Sequence, residues 1–188
     1  MEKSMGDKNL EWKISAEKEL LKTAVFTVKE TTSLSPDGQE GHYVITEAPD
    51  WVIVIPEIGG NFLMVKQWRH AHNGLSIEFP GGVINKDEEP EIAANRELEE
   101  ETGYKAGKLT YLGCANPNPA LMRNRVHFFV AEDLQGNGEQ NLDDDEYVDF
   151  LQIPIGEVYT KIGGEEYPHA LMMAALLKYT VYKRKGAK

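Results

Sequence analysis

Three glutamates, Glu97, Glu100 and Glu101, stand at the spacing i, i+3 and i+4. On an α-helix, at about 100° per residue, this spacing turns all three to one face while Glu99 points away. Like charges on neighbouring turns repel by roughly a few tenths of a kcal/mol per pair, so such a face calls for full solvation or for bound cations. Carboxylate oxygens are hard ligands that select Mg²⁺, with Mn²⁺ able to substitute, and Mg²⁺ typically keeps waters and bridges to substrate phosphates. A solvated acidic face is the ordinary meaning of a run such as ELEEE. The surrounding spacing argues for more: Gly82, five residues, Glu88, seven residues, then Arg96, Glu97, Leu98, Glu99, Glu100, Glu101, Thr102, Gly103 and Tyr104.

A helix from Glu89 or Pro90 to Gly103 must carry these side chains. Proline suits its first turn, the acidic cluster Asp87, Glu88 and Glu89 complements its dipole, and glycine suits its end. Ala93 and Ala94 are small enough to let it pack closely on a sheet, and Arg96, planar and always charged, could brace neighbouring glutamates. Gly81 and Gly82 form a flexible turn before it, where a backbone carbonyl could reach a metal. Four strands are expected ahead of the helix. AVFTVKET and HYVIT form a hairpin across the turn SPDG at Ser35 to Gly38, and WVIVIPEI and NFLMVKQW flank the turn Glu57 to Asn61. Strands at KLTYLGCA, RVHFFVAEDL and YVDFLQI follow, then a short helix from Pro154 and a final helix in PHALMMAALLKYTVYKRK. The alternation reads as an α+β domain with an N-terminal β extension.

The stretch Gly82 to Tyr104 resembles the Nudix box, Gly-x5-Glu-x7-Arg-Glu-U-x-Glu-Glu-x-Gly-U, at all seven fixed positions. Leu98 and Tyr104 fill its apolar slots, Tyr104 being a mild departure from an aliphatic residue. The resemblance implies an α/β/α sandwich with a mixed sheet, and Mg²⁺-dependent hydrolysis of a nucleoside diphosphate linked to a group X. Its metal ligands would be Glu97, Glu100, Glu101 and the carbonyl of Gly81, with Glu100 and Arg96 part of the catalytic set.

Most of the chain, from Thr23 to the final helix, resembles the ADP-ribose and ADP-sugar pyrophosphatase branch. That resemblance implies an N-terminal antiparallel β subdomain, residues 1–55, serving dimerisation and base recognition, and a catalytic domain over residues 56–188. The homodimer would exchange its N-terminal strands. By the same resemblance Arg69 in VKQWR holds the pyrophosphate, Glu78 in IEFPGG supports the metal cluster, and Pro119 matches a proline beyond the box. Asn116, Asn118 and Asn124 offer donors for a sugar hydroxyl, with Asn118 named as the substrate contact. The acidic stretch LDDDEYVDF supplies Glu146 as general base, with Asp144 in reserve. Tyr43 is placed to stack on the base, whereas Phe26 and Trp51 are expected to pack in the β core.

The net charge of −11 disfavours a nucleic-acid interface or an anionic membrane surface, and a polyanionic substrate then needs metal cations as a local remedy. The single cysteine, Cys114, excludes an internal disulfide and is expected to be packed within LTYLGCA. His70 and His72 do not complete a zinc site. No apolar leader or stretch of eighteen apolar residues is visible, which suits a cytoplasmic enzyme acting on a nucleotide sugar. Rival substrates are GDP-mannose, dinucleoside polyphosphates and RNA 5′ ends; the rival class is a non-catalytic ligand sensor.

Overall fold

The computed structural model describes residues 7–142 and 146–186. In chain order its strands and helices are β1 (Lys13–Lys22), β2 (Thr27–Leu34), β3 (Glu40–Glu47), β4 (Trp51–Ile58), β5 (Asn61–Arg69), β6 (Gly74–Glu78), α1 (Pro90–Thr102), β7 (Tyr104–Lys105), β8 (Lys108–Ala115), β9 (Val126–Glu132), β10 (Gln135–Gly136), β11 (Val148–Pro154), α2 (Ile155–Lys161) and α3 (Ala170–Gly186). Two compact units result. One holds the described residues up to Pro49 together with Asn116–Asn124; the other holds Asp50–Ala115 and the described residues from Arg125 onward.

The first unit is an antiparallel sheet in the order β1-β2-β3. Its β2–β3 hairpin turns through SPDG, with Leu34 opposite Glu40, as the turn chemistry predicts. β1 was not foreseen. Its sequence KISAEKELLK is exposed along its whole length, so neither a period of two in burial nor a β-branched run marks it, and only its register with β2 makes it a strand. Phe26 also departs from expectation: it lies in the turn after β1, 40% exposed rather than packed.

In the second unit β4 is buried on both faces and runs parallel to β9, which pairs antiparallel with β8. β5 pairs with β11 and β6, and meets β4 only at the tight turn around Gly59 and Gly60. Alternation along β4 sorts the core into two layers. Val52 and Val54 pack with Ala93, Ala94 and Leu98 of α1, while Ile53 and Ile55 pack with Met172, Ala175, Leu176 and Tyr179 of α3. Burying a side chain such as Leu98 contributes about 1.5–3 kcal/mol. The outcome is the expected α/β/α sandwich around a mixed sheet, with the antiparallel sheet of the first unit as the β subdomain.

Cys114, expected to be packed, is exposed. The register of β8 against β9 shifts between Tyr111 and Cys114, which breaks the in–out alternation and turns the thiol outward. Among the described residues no helix is long and apolar enough to cross a membrane.

Candidate active site

α1 begins as the sequence predicts, with Pro90 in its first turn, and ends on Gly103 in the left-handed conformation at φ 71°, whose N–H donates to the Glu99 carbonyl at 2.7 Å. The buried face of the helix is Ala93, Ala94, Glu97, Leu98, Glu101 and Thr102. The apolar members of that face anchor α1 on the sheet, and the same face therefore carries Glu97 and Glu101 inward. Glu100 sits on the flank, half-buried, and Glu99 turns away to Lys105 at 3.0 Å. The three expected ligands are thus not equivalent: two are buried and one is not.

Above the helix runs the Gly81–Gly82 turn. The Gly81 N–H donates to Glu101 Oε2 at 2.9 Å. A Cβ on Gly82 would stand 2.4 Å from Glu97 Oε1, and one on Gly81 would stand 2.1 Å from the Val52 carbonyl. A side chain at Gly81 would strike the backbone of β4, and one at Gly82 would displace the Glu97 carboxyl.

Arg96 is the hub of the remaining contacts. Its Nε and one terminal nitrogen grip both oxygens of Glu88 at 2.9 and 3.0 Å, and the other terminal nitrogen donates to Glu97 and Glu100, each at 2.9 Å. The Val83 carbonyl accepts a further bond at 3.0 Å, which ties the turn to the helix. The sequence placed Arg96 as a brace and Glu88 only in the acidic cluster that complements the helix dipole; its partnership with Arg96 had its signal in their fixed spacing. Arg96 holds the Glu88 carboxyl below its ordinary range.

Glu97 and Glu101 behave oppositely. Burial pushes Glu97 from 4.5 up to about 7; Arg96 opposes this, and the charges of Glu100 and Glu146 add to it. Burial pushes Glu101 up to about 8 against the Gly81 N–H, with Glu97 and Glu146 adding to the rise. The charge of Glu146 thus bears on both buried helix carboxyls. Its segment is tied to the helix end, where the Gln140 amide donates to the Glu101 and Val148 carbonyls at 2.6 and 3.1 Å and Asn141 N–H donates to the Glu100 carbonyl at 2.9 Å. Asp144 lies outside the described residues.

Among the described residues no three His, Cys, Asp or Glu side chains converge as a ready metal cage. The donor set nevertheless fits a hard divalent cation. Burial raises both carboxyls, the neighbouring glutamates add to it, and a cation is the group that would relieve them.

Arg69 and Glu78 are neighbours across β5 and β6. Arg69 Nε and one terminal nitrogen bind the two Glu78 oxygens at 2.8 and 2.6 Å. Burial pushes the Glu78 carboxyl up, but the guanidinium outweighs this and its pKa ends lowered. The pair lines a cavity of about 520 Å³ that also borders Gly81 and Gly82. Trp51 packs partly buried against the core, as expected.

In the first unit Tyr43, with its ring edge-on to Trp12 at 5.6 Å, lines a cavity of about 570 Å³ together with Asn116 and Pro119. Trp12 had no sequence signal. Asn118 builds a turn, its side-chain oxygen accepting from Ala120 N–H at 3.3 Å and its carbonyl from Met122 N–H at 2.7 Å. Asn124 is buried and spends its amide on the Pro49 carbonyl at 3.1 Å.

Residues 46–174 match the NUDIX domain family. The chain is 34% identical to the ADP-ribose pyrophosphatase of Bacillus subtilis (strain 168) over 161 residues, 85% of this chain and 87% of that protein. It is 32% identical over 112 residues to a GDP-mannose pyrophosphatase of Klebsiella pneumoniae, covering 55% and 56% of the two chains. In three dimensions it resembles a crystal structure of ADP compounds hydrolase with a TM-score of 0.83 at 21% identity, over 94% of this chain and 97% of the other.

Proposed function

Because this chain belongs to the NUDIX domain family and is a Nudix hydrolase, we propose that it is a Mg²⁺-dependent pyrophosphohydrolase of nucleoside diphosphate sugars, with ADP-ribose, split to AMP and ribose 5-phosphate, as its foremost substrate. The observation that carries this reading is the pair of buried carboxyls, Glu97 and Glu101, pressed against the Gly81–Gly82 turn and braced by Arg96. Support for the substrate comes from the length of the match to the Bacillus ADP-ribose pyrophosphatase.

Nudix hydrolases generally need a divalent metal. Here Glu97, Glu100, Glu101 and the Gly81 carbonyl would hold Mg²⁺, which supplies charge neutralisation on the pyrophosphate and lowers the pKa of attacking water. Arg96 keeps Glu97 and Glu100 oriented toward that task. Glu146, which faces Glu97 and Glu101 electrostatically, takes the proton of the water as general base. Arg69, fixed by Glu78, uses the terminal nitrogen outside that pair to bind a phosphoryl oxygen. Tyr43 takes the base by stacking, and Asn118 contributes a polar contact.

A homodimer belongs to the same reading. It is favoured by the exposed Ile14, Leu20, Leu21 and Phe26 on and beside β1, and a solution mass of one chain would count against it.

GDP-mannose is the second reading, favoured by the Klebsiella relative. ADP-ribose, GDP-mannose and a diadenosine polyphosphate, each incubated with Mg²⁺ and scored by product mass, decide between them. Fastest turnover of ADP-ribose to AMP is the expected result; fastest turnover of either other compound overturns the substrate, and no cleavage of any overturns the activity.

A further inference from the structure

β6 alternates so that Ser76 and Glu78, two residues apart, share one face, and both line the 520 Å³ cavity beside the Gly81–Gly82 turn. Ser76 is fully buried; its hydroxyl lies beside Glu78, whose carboxyl it helps to lower, but makes no hydrogen bond in good geometry among the described residues. A buried orphan hydroxyl costs on the order of 1–3 kcal/mol. One that lines a cavity is a place where an incoming group recovers that cost.

His169 stands at the other wall, at the start of α3. Its Nδ1 accepts the Leu171 N–H at 3.1 Å, and its carbonyl accepts the Met172 N–H at 3.0 Å. A neutral ring whose Nδ1 accepts must carry its hydrogen on Nε2 and is a donor there. Burial keeps this imidazole below its ordinary pKa, so neutrality is its normal state.

The cavity thus offers a hydroxyl, an imidazole N–H and a carboxylate already neutralised by a guanidinium, with Leu171 and Met172 as apolar wall. The one cation among these groups, Arg69, is the residue assigned above to a phosphoryl oxygen, and Ser76 and the neutral His169 add no positive charge for a further phosphate. A base would have Trp51 alone, partly buried, to stack on, since Phe79 is buried edge-on against Phe62 at 5.2 Å. The hydroxyls of a sugar each donate and accept, and its C–H faces suit an apolar wall, which matches what remains.

Resting on the pyrophosphohydrolase reading, we propose that this cavity receives the sugar half of the substrate and that Ser76 and His169 read its hydroxyls. Both residues are then specificity determinants.

The test compares wild type with Ser76→Ala and His169→Asn, the asparagine keeping an acceptor for the Leu171 N–H. Two substrates are used, ADP-ribose and the P2-methyl ester of ADP, which lacks the sugar. Each variant should lower the kcat/KM preference for ADP-ribose over the methyl ester about tenfold, with the loss carried by KM. An unchanged preference overturns the proposal, as does a change that appears instead between adenine and guanine nucleotides. If wild type cleaves neither compound, the pyrophosphohydrolase reading falls, and calorimetric titration with ribose 5-phosphate still decides the cavity. Binding that Ser76→Ala weakens supports it; no binding, or equal binding, overturns it. Unfolding temperature of Ser76→Ala is the control, and it should not fall, because the substitution removes an orphan polar atom.

Discussion

Arg123 in the N-terminal unit and Arg96 in the second unit each gather glutamates; both carboxyls on Arg123 are lowered, whereas of those on Arg96 Glu88 is lowered and Glu97 is raised. Arg123 binds Glu17 and Glu47, with Lys29 also pairing with both. There the Arg123 contact lowers Glu17 and the Lys29 contact lowers Glu47, as for ion pairs in water. Arg96 binds Glu88, Glu97 and Glu100 with at least as many bonds, yet Glu97 is pushed up to about 7 and its neighbour Glu101 to about 8. The side chains of Glu17 and Glu47 are 31% and 40% exposed, whereas that of Glu97 is 12% exposed. Burial outweighs the arginine at Glu97, whereas at Glu78 and Glu88, each gripped at both oxygens by one guanidinium, the arginine outweighs burial. The exposed cluster is a surface fastening; the buried one keeps its protons up to near-neutral pH and would give them up to a bound cation.

The strongest way to break this contrast is Glu101→Gln. It preserves an acceptor for the Gly81 N–H but removes a buried charge. If the carboxylate binds metal, kcat falls at least about 1,000-fold, equivalent to ~4 kcal/mol, while circular dichroism shows an intact fold. Turnover within tenfold of wild type would sink the assignment.

A smaller effect concerns pH. Glu97 and Glu101 hold protons more tightly folded than unfolded, so between pH 4.5 and about 8 the folded state binds more protons. Their contribution to stability is full below pH 4.5 and is lost as pH rises through about 7 and 8. With metal chelated, the unfolding free energy should drop by up to several kcal/mol from pH 5 to 8. Glu101→Gln should flatten the slope, and so should added Mg²⁺. A metal-free protein equally stable at both values would contradict the burial argument.

The smallest effect is expected at the exposed cluster. Arg123→Ala should shift the unfolding temperature by roughly 2 °C or less, and less still in high salt. A much larger loss would show that this network is structural and erase the distinction between the two regions.

The catalytic helix was legible residue by residue. Pro90, the Ala93–Ala94 pair, Leu98 and Gly103 fixed its start, its packing face and its end, because these are local preferences repeated at 3.6-residue spacing. The strands β4, β5, β8, β9 and β11 were legible for the same reason, being apolar runs bounded by turn residues. β1 was not, since a fully exposed strand has no burial pattern to read, and Cys114 was misplaced because a register shift is invisible before strands pair.

The sequence alone therefore determined the chemistry on offer: which carboxylates share a helix, where glycine admits a close backbone, and which family the box resembles. Only the tertiary structure decided how those groups differ. That Glu97 and Glu101 lie buried while Glu100 flanks them, that Arg69 is clasped by Glu78, and that Ser76 and His169 line one cavity all depend on packing between segments distant in the chain. Burial sets the electrostatic cost of each charge and the bonding options of each polar atom, and spacing along a single element does not contain it.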